Sequence, residues 1–529
     1  MASRRDELNA YTFARKRMVG AFLQPGGGGN DEDAPRPIRA VLPSFVIGAV
    51  VVAGFGMWGV IKPSAPPNWD NGKYILQGKS STTRYVILPD PKTNQPTLHQ
   101  VLNMSSARLV LSEGATVQTV ADEVLDKYPR RGAAIGIPYA PDKLPEGGDA
   151  GASKLWSVCD KQGQDNKQSV VGQSVFIAAG ADAKTLQGDR KLGDGQSLFV
   201  QEPDIPNQSG PATPGSMYLV DGNGVKHAVG TAGTDGDKGD LTRALFGQQV
   251  KPQRVTKDWI DTLDDGDPIV FPRIQNIAGN PSGASSLELS QAADRKVGRL
   301  LTFQDQYYLV GAQQLYRITE FQANLLFNDP NTQAAAYDGK PPTYGQLGAG
   351  DLNKLDSKVV PSLPGQFKGW PTHKSPAVNR TEKDPRTVIC STFNGYEGDE
   401  IKRSVWAGTS YPVDVSADSA SAHVTPGHGL LYRSLEGGSK PGADGGTGSD
   451  FLITDSGLRY SLPANNDGGN GAASASPNPQ GGAQKSTNEA QARLGYKSVS
   501  PQFVPDRWSK LVPAGPVLNT NTALQAQNA

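Results

Sequence analysis

From Val41 to Ile61 the chain reads VLPSFVIGAVVVAGFGMWGVI, without a single charge. As a helix this run rises about 31 Å, the thickness of the hydrocarbon core of a bilayer, and it divides the chain between the two sides of a membrane. A cleaved signal peptide is the plainer alternative. Against it, 40 residues precede the run, it outlasts an h-region, and no A-x-A site follows. Trp58 and Trp69 suit an interfacial belt, and Gly48, Gly54, Gly56 and Gly59 offer a small-residue face for close contact with another membrane helix. Arg4, Arg5, Arg15, Lys16, Arg17, Arg36 and Arg39 precede the run, whereas Lys62 alone follows it closely. The positive-inside rule then puts the N-terminus in the cytosol and the bulk of the chain outside.

The leading segment carries Leu8, Tyr11, Met18 and Phe22 at helical spacing before Pro25 and four glycines stop it. A free helix of this length is marginal in water, so its apolar residues dock on a partner or lie on the membrane. Tyr11, Phe13, Met18 and Phe22 are the candidate docking residues. Lys+Arg and Asp+Glu balance at 52 each, which removes the basic field a nucleic-acid binder carries. With Gly at 62 and Pro at 40, turn-rich β structure is favoured over a helical bundle. An α+β, β-rich chain is expected.

Beyond the apolar run a motif recurs: strand, turn, strand, a small-residue helix, and a segment ending in Leu/Val-Pro or Asp-Gly. The four copies contain RYVILPDP, MYLVDGNGVKHAV, YYLVGAQQLYRI and FLITDSGLRYSL. They align Tyr85, Tyr218, Tyr308 and Phe451, and they put His99, His227, Tyr316 and Tyr460 at one equivalent place. The expected division is a cytosolic segment 1–40, a membrane helix 41–61 and an extended stalk 62–82. Repeats follow at 83–150, 211–275, 301–365 and 435–529, with a connector at 276–300 and a central β domain in two parts, 151–210 and 366–434. A Gly/Ala/Ser/Asn-rich insertion at 465–488 and the tail beyond Asn519 read as mobile. Hairpin units cannot bury their apolar faces alone, so they must pack on one another or on a shared hub.

Cys159 and Cys390 belong to no CxxC or Cys/His run, which disfavours zinc. Outside the cytosol the pair suits one disulfide; two unrelated buried thiols are the alternative. No G-x-x-x-x-G-K-[ST] loop is present, and Gly481-Gly-Ala-Gln-Lys485-Ser-Thr comes nearest. His99, His227, His373, His423 and His428 are framed by no HExxH or GxSxG motif. Asp261, Asp264, Asp265 and Asp267 read as a solvated turn rather than a calcium loop. Catalytic, cofactor and metal residues are therefore not assigned.

Tyr11-Thr-Phe-Ala-Arg15-Lys-Arg17, the single apolar run, RYVILPDP…LHQVLNMSSARLVL, the placement of the two cysteines and WSKLVPAGPVL together resemble the EccB family, the single-pass core component of type VII (ESX) secretion systems. The resemblance implies four similar repeats around a central, disulfide-bearing domain in an elongated, propeller-like arrangement. It also implies a scaffold that self-associates outside the inner membrane and assembles with EccC, EccD and EccE type subunits, EccC being the motor. The family is sometimes labelled an ATPase. A cell-envelope module that binds peptidoglycan or glycan, or a weak nucleotide hydrolase, are the alternative functions.

Overall fold

The computed structural model describes residues 4–23, 38–61, 65–163, 171–208, 210–231, 238–274, 279–280, 283–364, 369–381, 383–415, 422–436, 440–441, 448–463 and 488–527. Nearly all of the insertion at 465–488, with Lys485, lies outside them. The chain is a β-rich mixture of strands and short helices in five separate sheets, none closed into a barrel.

Four sheets share one design. In the first, Ile75–Gly78, Arg84–Pro89 and Pro96–Val101 form an antiparallel meander; after the helix Met104–Val110, Val117–Val120 returns parallel to the first strand. In the second, Ser197–Gln201, Met217–Asp221 and Val225–Ala228 are flanked by Gln253–Arg254 and Asp264–Asp265, both parallel to their neighbours. The third places Gly345–Gln346 and Val359–Val360 around Leu300–Phe303, Gln306–Val310 and Leu315–Ile318. The fourth uses Leu430–Leu435, Gly448–Ile453 and Arg459–Leu462, with Gln502–Pro505 beside the first of them.

Each repeat thus holds one more antiparallel strand than the hairpin read from sequence. Ile75–Gly78 was expected in the stalk, Ser197–Gln201 and Leu430–Leu435 in the central domain. The structure gives all three to repeats. Their distance from the hairpin varies from two residues, Gln304 and Asp305, to the long stretch between Gln201 and Met217, so no fixed spacing betrays them.

The fifth sheet is the hub, ordered Glu400–Gly408, Val388–Glu397, Leu155–Lys161, Gly172–Ala178 and His423–Val424. Its strands come from before the second repeat and after the third. Shared cores tell which units touch. Repeats one and four share a core built on Ile75, Val86, Leu431, Tyr460 and Tyr496, and repeats two and three share one built on Leu219, Leu241, Leu245, Phe321 and Leu325. Among the described residues, only repeats two and four enter the core of the hub.

The remaining face of repeat one is covered by Ala65, Trp69 and Tyr74, with Trp69 edge-on to Tyr128 at 5.8 Å. Trp69 therefore packs on protein, and the end of the expected stalk is docked. The tail is docked too. Thr520–Ala523 is helical, Ala523 is buried, and Gln527 donates to the Gly136 carbonyl at 2.7 Å.

Strand register confirms the repeat alignment: Val86 faces His99, Leu219 faces His227, Leu309 faces Tyr316 and Leu452 faces Tyr460. Next to the ring, on a segment bridged in parallel to its strand, lies a glycine in three repeats, Gly132, Gly266 and Gly515; a methyl on Gly266 would come 2.4 Å from the His227 ring, and one on Gly515 2.6 Å from the Tyr460 ring. Val360 takes that place in repeat three. Gly266→Ala should therefore cost about 1–3 kcal/mol by overpacking, measured by denaturant unfolding; an unchanged midpoint would remove the ring-over-glycine contact from the account.

Candidate functional site

The hub carries the disulfide and the buried side chains Trp156, Asp160 and Arg403, onto which two repeats dock. Cys159 and Cys390 face each other across two central strands and are joined, 231 residues apart in sequence. The bond lies on the face of the sheet covered by Leu186, Phe176 and Trp406. Repeats two and three lie wholly within the loop it closes.

The opposite face receives two tryptophans. Trp259 in the helix Lys257–Asp261 and Trp508 in the helix Asp506–Ser509 are both fully buried, and both are the third residue of the short helix that follows the first return strand. Trp508 reaches Phe393 of the hub at 6.0 Å between rings, and Trp156 of the hub meets Tyr432 of repeat four at 5.1 Å. Repeats one and three have Val124 and Asp351 at that helix position. This difference explains which repeats dock on the hub: a large apolar ring supplies the buried area that valine and aspartate lack.

Two polar contacts fix the docked arm. Asp160, fully buried beside Cys159, accepts the Thr256 amide at 2.6 Å, the Thr256 hydroxyl at 2.9 Å and the Gln173 side chain at 3.2 Å. Burial pushes its carboxyl up to about 6, against the opposing pull of the Thr256 donors. A raised value in the fold means that this group contributes its stability below the unfolded carboxyl value and loses it as pH climbs through about 6. The loss, roughly 3 kcal/mol, falls between pH ~4 and ~6. Asp160→Asn should abolish that slope in a stability–pH series; an identical slope in the variant would assign it to other groups. The second contact centres on Arg403, whose guanidinium is buried. It pairs with Asp264 of repeat two and donates to the Thr262 carbonyl at 3.0 Å, while Arg507 of repeat four lies 3.6 Å from Asp264.

The acidic string is thereby dispersed. Asp264 serves the junction, Asp265 pairs with Lys226 at 3.1 Å, Asp261 with Lys257 at 3.0 Å, and the Asp267 carbonyl accepts the His227 ring at 2.9 Å. His423 and His428 approach different carboxylates, Asp182 at 3.6 Å and Asp149 at 2.6 Å. Among the described residues no group of three acids, histidines or cysteines could hold a metal.

A closer relative of the phosphate loop than the string at Lys485 escaped the sequence reading: Gly78-Lys79-Ser80, with Gly72 one residue too far upstream. The structure explains why it is not a nucleotide site. The Ser80 amide donates to Asp122 at 2.7 Å and the Ser81 amide to the same carboxylate at 3.3 Å. The Ser81 hydroxyl and these amides hold that carboxyl below its usual range, so a negative charge occupies the place a phosphate needs. The turn also leads into a strand, not the N-terminus of a helix.

At the other end of the chain, the helix Arg4–Leu23 buries none of its side chains. At 100° per residue Tyr11, Met18 and Phe22 fall within about 40° of one another, but Phe13 projects from nearly the opposite side. A single docking stripe therefore excludes Phe13. The helix Ile38–Ile61 covers the apolar run, and its side chains from 43 to 55 are exposed. Among the described residues no helix is long and apolar enough to cross a membrane. Gly48 and Gly54 have open space around them, and the surroundings of Gly56 and Gly59 lie outside the described residues.

Five sheets among the described residues, four of one design and a fifth that carries the disulfide, define a repeat architecture built of junctions. The chain belongs to the family described as type VII secretion system ESX-1, transport TM domain B, whose model matches residues 1–529. It is 27% identical over 515 residues to the ESX-3 secretion system ATPase EccB3 of Mycobacterium tuberculosis, covering 93% of this chain and 83% of that protein. To the ESX-1 secretion system ATPase EccB1 of the same species it is 24% identical over 533 residues, covering 98% and 93%. Its fold is similar to the EccB3 dimer from the ESX-3 core complex, with a TM-score of 0.56 at 23% identity over 86% of this chain and 100% of that one. An intact ESX-5 inner membrane complex contains a further similar chain, with a TM-score of 0.55 at 19% identity, covering 100% and 96%.

Proposed function

We propose that this protein is the single-pass scaffold subunit of a type VII secretion complex. The reading places the helix Ile38–Ile61 in the inner membrane, the N-terminal helix in the cytosol and the repeats outside, where copies self-associate and brace the channel. EccC, EccD and EccE type subunits are its partners in the membrane, with lipid around the span, Gly48, Gly54, Gly56 and Gly59 as its helix-contact face and no nucleic acid involved. The elongated, propeller-like arrangement is part of the same proposal. One observation carries it: two repeats are held to a disulfide-bearing hub, while both N-terminal helices are left with exposed apolar side chains that partners or lipid can cover.

The word ATPase in the relatives' names has no counterpart in a phosphate loop of this chain, and the turn Gly78-Lys79-Ser80 is filled by Asp122. A cell-envelope binding role remains the alternative. Met18→Asp with Phe22→Asp tests the scaffold reading. The pair should dissociate the complex extracted in mild detergent while leaving the thermal unfolding of the repeat domain unchanged. A complex of full mass in the double variant would refute cytosolic docking.

A further inference from the structure

We propose that a polar cavity on the third repeat binds a zwitterionic, peptide-like ligand, its carboxylate on Arg317 and its ammonium between Asp305 and Glu320. The cavity holds about 520 Å³, a volume suited to a short peptide, and is lined by Arg317, Glu320, His373, Asp305, Tyr307 and Gln306 among others.

Comparison among the repeats makes these charges stand out. Arg317 pairs across the meander with Tyr308; the same place opposite Tyr85, Tyr218 and Phe451 is taken by Gln100, Ala228 and Ser461. A charge appears there in repeat three alone of the four. Its packing role is small: Arg317 Nε donates to Gln306 at 2.7 Å, which orients the guanidinium fork and leaves its other donors without a protein hydrogen bond among the described residues, in a side chain that lines the cavity. Glu320 accepts from His373 at 3.2 Å through one oxygen, keeping the second. Among the described residues neither Arg317 nor Asp305 has an ion-pair partner.

The rim is strained. Gln304 and Asp305 form a two-residue hairpin loop with φ of 44° and 61°, left-handed at both positions, where Asn-Gly is the usual choice. Strain retained at a cavity mouth, where a glycine is the easy relief, marks a side chain kept for a purpose, and Asp305 lines the cavity.

The proposal is independent of the scaffold reading. Its test is calorimetric titration of the full chain in detergent micelles with trialanine, free at both ends, and with the acetylated, amidated form. Free trialanine should bind, the capped form should not, and Arg317→Gln or Glu320→Gln should weaken binding about tenfold, the loss of one charge-assisted hydrogen bond. A counterpart ending in D-Ala-D-Ala separates sources: preference for it points to a cell-wall stem peptide, preference for the all-L form to an exported polypeptide. Equal binding of free and capped peptides, no heat up to ~10 mM of either stereochemistry, or wild-type affinity in Arg317→Gln at an unchanged melting temperature would overturn the proposal.

Discussion

Replacing Cys159 and Cys390 together by alanine should lower the unfolding free energy of the repeat domain by roughly 3–5 kcal/mol. The bond closes a loop of 231 residues that contains all of repeats two and three, so in the chain-entropy picture its removal frees a very large denatured ensemble. The urea midpoint should fall and the slope should steepen, because the uncrosslinked chain unfolds to a less compact state. Alanine is preferred to serine here, since both sulfurs are buried and a hydroxyl would add an unsatisfied polar group. An unchanged midpoint for wild type in strong reductant would deny the staple any part in stability.

The second large effect is expected at the hub's two anchors. Trp259→Ala and Trp508→Ala should each cost about 3–5 kcal/mol, because a fully buried indole leaves a cavity that flanking strands cannot collapse into. Loss should be local in consequence. Trp259→Ala should expose amides at the boundary between the hub and repeat two to hydrogen exchange, and Trp508→Ala those between the hub and repeat four. Val124→Ala is the internal control: the side chain is only partly buried and lies in a repeat that adds no described residue to the core of the hub, so about 1 kcal/mol or less is expected. Equal costs at all three positions would mean that the tryptophans do not choose which repeats dock.

What could be seen in the sequence was whatever has a period. The hairpins, with alternating apolar residues and a turn between them, were visible, and the equivalence of His99, His227, Tyr316 and Tyr460 proved to be an equivalence of strand register. That a first strand belongs to each repeat was not, because the loop that separates it from the hairpin has no set length. The short return strands, such as Gln253–Arg254 and Val359–Val360, are too brief to carry alternation at all. The anchors hid for another reason. Trp259 and Trp508 lie in helices of five and four residues, and only alignment of the repeats reveals that Val124 and Asp351 stand in their place.

Polar partners were the least legible. Asp160 reads as an ordinary strand residue beside a cysteine, and nothing local tells that Thr256, 96 residues on, caps it. Asp264 looked like one more charge in a solvated turn, whereas Arg403 and Arg507 arrive from the hub and from repeat four. Trp69 misled by composition: an aromatic residue shortly after an apolar run suits a membrane interface equally well, and only the ring of Tyr128 decides its place.

The most direct measurement is the native mass and subunit content of the complex extracted from membranes in mild detergent. The account predicts a large assembly containing several copies of this chain together with other membrane subunits of the secretion system, a motor ATPase among them. Recovery as a lone monomer that sediments with cell wall would contradict it.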